Sequence, residues 1–282
     1  MPAIERGGTK IAWREAGRGE TVVLLHSSAS SSAQWRSLME ILGTSYHVVA
    51  PDLHGYGDSG PWSGAGPFAL ADEVALVESV LPGGAGPLHL IGHSYGGAVA
   101  LHFALRYPTR LRSLTLIEPV AFHLLCGQAP LEESRRLLRE VRSVASLISE
   151  ATANGDYRGA MAQFVDYWNG TGAWKRLDPL LQADLARRIP KIALDFRATL
   201  MEPSAPAAYR NVFVPALILR GSGSPAPARR LAEVIAETLP QSRLQTIEGA
   251  GHMLPLTHAD AINRAIVEHL SGCVAGRRPA AA

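Results

Sequence analysis

Six short stretches of the chain are almost wholly apolar: TVVLLH (21–26), HVVAPD (47–52), LHLIGH (88–93), RSLTLIE (112–118), PALILR (215–220) and RLQTIE (243–248). Strands covered by helices on both faces read this way, because neither face meets water. They predict a parallel sheet. Between them lie helical segments: 95–106, with Val99, Leu101, Phe103 and Leu105, and 226–239, with Leu231, Val234, Ile235 and Leu239 at helical spacing. Alternating strand and helix defines an α/β domain. The opening AIERGGTKIAWREAG (3–17) mixes apolar and polar positions about Gly7-Gly8 and predicts an antiparallel hairpin at a sheet edge. From about 119 to 210 no strand pattern occurs, while RRLLREVRSVASLI and YRGAMAQFVDYW place apolar residues three and four apart. The pattern therefore predicts a core of residues 1–118 and 211–270, a helical insertion over 119–210, and a frayed tail over 271–282.

Composition narrows the function classes. With 282 residues and 47% apolar content the chain has material for a large core. A net charge of +2, with no basic run, gives no footprint for nucleic acid. No apolar stretch reaches membrane-spanning length and the first ten residues lack a secretory pattern, so a soluble, cytoplasmic protein is expected. Cys126 and Cys273 belong to no metal-binding or paired pattern, and no metal site is expected. The charges over 132–142 read as a solvated helix face.

The chemistry concentrates in Gly92-His93-Ser94-Tyr95-Gly96, which stands between an apolar strand and an amphipathic helix. A serine at so sharp a strand-to-helix turn is strained and raised clear of the chain, and glycines two places either side avoid collision with it. The free N–H groups at the helix start point toward an oxyanion forming at that serine.

On GHSYGG (92–97), LLHSSASSSAQW (24–35), PDLHGYGDS (51–59) and EGAGHMLPL (248–256) the chain resembles the α/β-hydrolase family over nearly all of residues 1–270. The resemblance implies Ser94 as nucleophile and His252, in its glycine-bracketed loop after the last strand, as general base. It also implies backbone N–H donors from Ser28 and Tyr95, although Ser27 stands where the family usually has glycine. Asp58 looks like a turn former. The family commonly places an acidic residue in the turn after PALILR, but here that turn is Gly221-Ser222-Gly223-Ser224-Pro225. Glu118, at the end of the preceding strand, is the best-placed carboxylate; neighbouring parallel strand ends lie about 5 Å apart, and some relatives keep their acid there. A strand-end charge paired with an arginine is the alternative for Glu118.

The same glycine turn imitates a dinucleotide fingerprint, Gly221-x-Gly223-x-x-Ala226, but Pro225 removes a donor the pyrophosphate needs. No cofactor is implied. Serine at the elbow, where resembling dehalogenases and epoxide hydrolases use aspartate, implies acyl chemistry on a small-molecule ester-like substrate, partly apolar and of small to medium size. Perhydrolysis, C–C bond hydrolysis or a sensing role with little turnover are the alternatives. The insertion is expected to roof the elbow, with Phe122, His123, Phe164, Trp168 and Trp174 as candidates for the pocket wall.

Overall fold

Eight strands form one sheet in the computed structural model, which describes residues 1–83, 86–126 and 130–275. They are β1 (Ala3–Arg6), β2 (Thr9–Ala16), β3 (Thr21–Leu25), β4 (His47–Pro51), β5 (Leu88–His93), β6 (Leu111–Ile117), β7 (Ala216–Gly221) and β8 (Ser242–Ile247). The spatial order is β1-β2-β4-β3-β5-β6-β7-β8. Only the pairs β1–β2 and β2–β4 are antiparallel. Gly7 and Gly8, at φ 56° and 75°, turn the first hairpin in the left-handed region that its two-residue loop requires.

The helices in chain order are α1 (Arg36–Leu42), α2 (Leu70–Val80), α3 (Tyr95–Arg106), α4 (Leu131–Ala153), α5 (Tyr157–Asn169), α6 (Pro179–Ala186), α7 (Ile189–Leu200), α8 (Ala226–Thr238), α9 (Leu254–Thr257) and α10 (Ala259–Ala275). Strand β3 shows why its sequence is continuously apolar. Val22 and Leu24 face the layer holding α1 and α10, while Val23 and Leu25 face the layer holding α2, α3 and α8, and all four are fully buried. Each such side chain contributes about 1.5–3 kcal/mol of transfer free energy.

Between β6 and β7 the described residues form helices and turns only. Asp156 caps α5 by accepting the Gly159 N–H at 2.8 Å, and Asp178 caps α6 through the Leu180 N–H at 2.8 Å. This helical segment is joined to the sheet layer by a continuous apolar cluster. One boundary differs from expectation: α10 runs to Ala275, past the point where the tail was expected to start. Ile262, Ile266 and Leu270 bury one stripe of it, and the helix continues beyond that stripe. Residues 276–282 of the expected tail lie outside the described residues.

Candidate active site

Ser94 joins β5 to α3 with φ 54° and ψ −115°, a left-handed conformation that a non-glycine residue holds only under strain. Its surroundings enforce that turn. The Ser94 N–H donates to the Ile117 carbonyl at 2.9 Å, and the Ser94 carbonyl accepts from Ala98 and Val120. The flanking glycines are dictated by space: a Cβ on Gly92 would meet the Gly96 carbonyl oxygen at 2.2 Å, and one on Gly96 the Leu25 oxygen at 2.4 Å.

Glu118 directly follows β6 in a second strained turn, at φ 45° before Pro119. Fully buried, it uses both carboxylate oxygens: Oε1 accepts the Gly221 N–H at 2.7 Å, and Oε2 accepts from His252 Nδ1 at 2.7 Å. With Nδ1–H so committed, Nε2 of His252 is left as an acceptor, and the Ser94 hydroxyl lies 2.9 Å from it. Glu118, His252 and Ser94 thus form one hydrogen-bonded chain, with His252 brought in by the loop after β8.

The loop after β3 carries the other expected donor. Ser27 does not adopt a positive φ, so a side chain is tolerated there. Its hydroxyl and N–H both donate to Gln34 Oε1, at 2.9 and 3.2 Å. Gln34 Nε2 in turn donates to His93 Nδ1 at 3.1 Å, and His93 Nε2–H donates to the His252 carbonyl at 2.9 Å. Burial lowers the pKa of His93 to about 3, so the ring is neutral and keeps the tautomer this relay requires. Ser28 follows, and Arg188 from the helical segment fixes the next carbonyl, that of Ala29, at 2.7 Å. Ser28, Ser94 and Tyr95 border one small chamber, and the Tyr95 N–H, first in α3, has no intrahelical acceptor.

Phe122, Phe164 and Trp168 line that chamber, together with Val120, Asp195 and Phe196. Of the candidates, His123 and Trp174 do not. The 3-10 turn Phe122–Leu125 points His123 the other way, to the Tyr209 hydroxyl at 3.1 Å, and Trp174 packs beneath the Arg158 guanidinium. Trp168 lies against His252, with ring centroids 4.0 Å apart and planes 24° apart.

Two residues that the sequence reading did not single out reach the site from α7. Asp195 Oδ2 accepts from the Ser28 hydroxyl at 2.5 Å and the Tyr56 hydroxyl at 2.6 Å, and Oδ1 pairs with Lys191. Lys191 also donates to Glu73 Oε1 at 3.0 Å and sits over the rings of Tyr56, Phe68 and Tyr95. Burial raises the Asp195 carboxyl, with Lys191 and the two hydroxyls opposing. Burial works against the Lys191 ammonium too, but the two carboxylates outweigh it and hold its pKa above the usual value. The available signal was a charged pair four residues apart among apolar positions of one helix: Ile189, Lys191, Ile192, Asp195, Phe196.

The glycine turn that imitates a phosphate cradle has its amides already engaged. Gly221 donates to Glu118, Ser222 to Ile247, Gly223 to Ala250 and Ser224 to Gly221.

This fold has relatives. Residues 22–265 match the model of the Alpha/beta hydrolase family, and the chain belongs to that family. It is 27% identical to a haloalkane dehalogenase from Bradyrhizobium diazoefficiens, over 98% of this chain and 95% of that protein. It is 32% identical to the lipase LipV of Mycobacterium tuberculosis, over 58% of this chain and 55% of that protein. Among solved structures, an alpha/beta hydrolase from a Medee basin deep-sea metagenome library covers 100% of this chain and 99% of its own, with a TM-score of 0.81 at 15% identity, a likeness of fold. The protein is a hydrolase of this family, and among its described residues no helix is long and apolar enough to cross a membrane.

Proposed function

We propose that the protein is a serine esterase, cleaving a carboxylic ester through an acyl-enzyme on Ser94. The observation that carries this reading is the chain Glu118–His252–Ser94, with every link between 2.7 and 2.9 Å and each side chain at least nine-tenths buried. In this reading Ser94 Oγ attacks the acyl carbon while His252 Nε2 takes its proton. The imidazolium so formed is oriented and neutralised by Glu118, and the carbonyl oxygen, now an oxyanion, is met by the Ser28 and Tyr95 N–H groups. His252 then passes the proton to the departing alkoxide oxygen, releasing an alcohol. Water, deprotonated by the same nitrogen, attacks the acyl-enzyme; collapse of the second tetrahedral intermediate restores Ser94 and releases the acid.

The relatives' printed names span a haloalkane dehalogenase, a lipase, an oxetanone decarboxylase and a 2-hydroxy-6-oxo-2,4-heptadienoate hydrolase, so the choice of bond rests on the site. Serine at the elbow supports acyl transfer. An alcohol leaves more readily than an amine, which favours esters over amides. The test is hydrolysis of p-nitrophenyl acetate and butyrate by the protein and by Ser94→Ala, with fluorophosphonate labelling in parallel. Turnover and labelling are expected to vanish in the variant; turnover that persists in Ser94→Ala would sink the assignment.

A further inference from the structure

Trp168 reaches His252 from α5, a helix of the insertion, and the two rings are closer than the other ring pairs around them. Their centroids are 4.0 Å apart, with planes 24° apart. Neutral aromatic pairs favour centroids about 4.5–7 Å apart, offset or edge-on, because parallel rings set the like faces of their quadrupoles against each other. The neighbours of Trp168 obey that preference: Tyr167 meets it at 4.9 Å and 75°, Phe164 at 6.4 Å and 68°, and Phe122 at 6.5 Å and 18°. With carbon atoms in contact at about 3.5 Å, a centroid separation of 4.0 Å leaves a sideways offset of about 2 Å at most, so the imidazole lies over the indole face. That arrangement suits a cation. We propose that Trp168 is a positioning residue for the general base, its π face stabilising the imidazolium that His252 becomes as Ser94 gives up its proton.

The inference rests on the esterase reading, in which that cation forms in both half-reactions. A neutral imidazole gains little from an indole face and an imidazolium gains more; only such a difference speeds the reaction. Both rings are buried, so water does not screen the attraction. The indole is held in place by Phe122, Phe164 and Tyr167, whose hydroxyl donates to Glu140 at 3.0 Å. Two titratable side chains contact the His252 ring from the strand ends beneath it. Glu118, after β6, accepts from Nδ1 in the ring plane, and His93, at the end of β5, lies with its centroid 5.3 Å away and is neutral. Glu140, Tyr167 and His258 share the groove that His252 borders. Glu118 thus supplies the counter-charge at the ring edge, while Trp168 covers the face. The insertion thereby acts on the base itself as well as on the pocket wall.

The test replaces Trp168 alone with tryptophans carrying one to four ring fluorines, which drain negative charge from the face and conserve its shape. Every titratable neighbour stays the same across the series, and thermal melts check the fold. The readout is kcat/KM for p-nitrophenyl acetate as a function of pH. The alkaline plateau should fall stepwise, about tenfold over the whole series. The acidic limb should move lower by about one pH unit, because the same cation is weakened in the resting base and in the transition state. The curves therefore converge at low pH, a signature that loss of packing would not produce. A plateau indifferent to fluorination, or a fall that is equal at every pH, overturns the role of Trp168 and leaves the esterase reading standing if turnover still depends on Ser94. Turnover that persists in Ser94→Ala, or a parent protein that neither turns over nor is labelled by the fluorophosphonate, overturns both.

Discussion

Replacing Glu118 by glutamine tests the site through a single atom. The carboxylate now accepts twice, from Gly221 N–H and from His252 Nδ1–H, both at 2.7 Å and both out of water. An amide of the same shape accepts through one end only. If its oxygen keeps Gly221, its NH₂ faces Nδ1, and His252 must become the Nε2–H tautomer, which points a proton at Ser94 and cannot take one. If the amide flips, NH₂ opposes the Gly221 N–H, and a buried unsatisfied donor costs about 1–3 kcal/mol. Either way the charge that stabilises the imidazolium is gone. The corresponding carboxylate-to-amide change in a serine protease triad costs about 10⁴ in kcat, or roughly 5.5 kcal/mol. The same order is expected here, with the melting temperature close to that of the parent because shape is conserved. The assay is initial rates with p-nitrophenyl acetate, alongside thermal melts and Ser224→Ala as the comparison, which should stay within a fewfold of the parent. Activity within tenfold of the parent in Glu118→Gln, or a collapse in Ser224→Ala, would refute the assignment of the acid.

Gly96→Ala places a Cβ 2.4 Å from the Leu25 carbonyl oxygen and 2.5 Å from that of His26. These backbone atoms end β3 and begin the loop that carries the candidate oxyanion donor, so a cost of about 1–3 kcal/mol is expected in thermal melts, together with lost turnover; an unchanged melt would remove the steric argument. Lys191→Met leaves Glu73 and Asp195 buried without their cation, a loss of about 3–5 kcal/mol by urea denaturation at pH 8. The deficit should shrink at pH 5 as the Asp195 carboxyl, raised by burial, protonates, and a deficit that is no smaller there argues against charge as its cause. Burial lowers His26 to about 4 and His93 to about 3, against 6.5 when unfolded. Such groups contribute their full stability above about pH 6.5 and lose it as pH falls toward their folded values. Each should cost about 2 kcal/mol at pH 5. Urea midpoints at pH 7.5 and 5.0 check this, and equal stability at both would contradict it.

The inner strands were readable because two-sided burial leaves a one-dimensional trace: β3 and β5 have no polar face to alternate. The Ser94 turn was readable for a related reason, since Gly92 answers to the Gly96 and Gly97 backbone a few residues along the chain. Contacts between distant segments left no such trace. Helical spacing marks Trp168 as inward-facing but cannot name His252 as the ring it meets. Phe122 and His123 are adjacent in sequence, yet one enters the chamber and the other turns to Tyr209, because a 3-10 turn rotates successive side chains by about 120°. Asp195 was hidden by its helix: periodicity reports that a face is buried, not that the buried face holds a charge network with Ser28 and Tyr56.

The position of the candidate acid, Glu118, follows from sheet order. β6 lies between β5, which ends at the nucleophile turn, and β7, where the family commonly keeps its carboxylate. The loop after β8 carries His252 back across the end of β7 to Ser94, so the imidazole passes over the ends of β6 and β7 together. A carboxylate on either strand end can meet Nδ1, and the choice is settled by what else needs satisfying there. With Ser222, Gly223 and Ser224 in the β7 turn, the Gly221 N–H needs a buried acceptor, and Glu118 supplies it with the oxygen that His252 does not use. The positive φ of Glu118 and the following Pro119 aim the side chain toward both donors. If this account holds, Ser224→Asp in a Glu118→Gln background should return at least tenfold of the lost activity. An aspartate in that turn would face the same nitrogen from the other strand, and failure to rescue in a double variant that melts normally would show that the Glu118 turn supplies a geometry the β7 turn cannot.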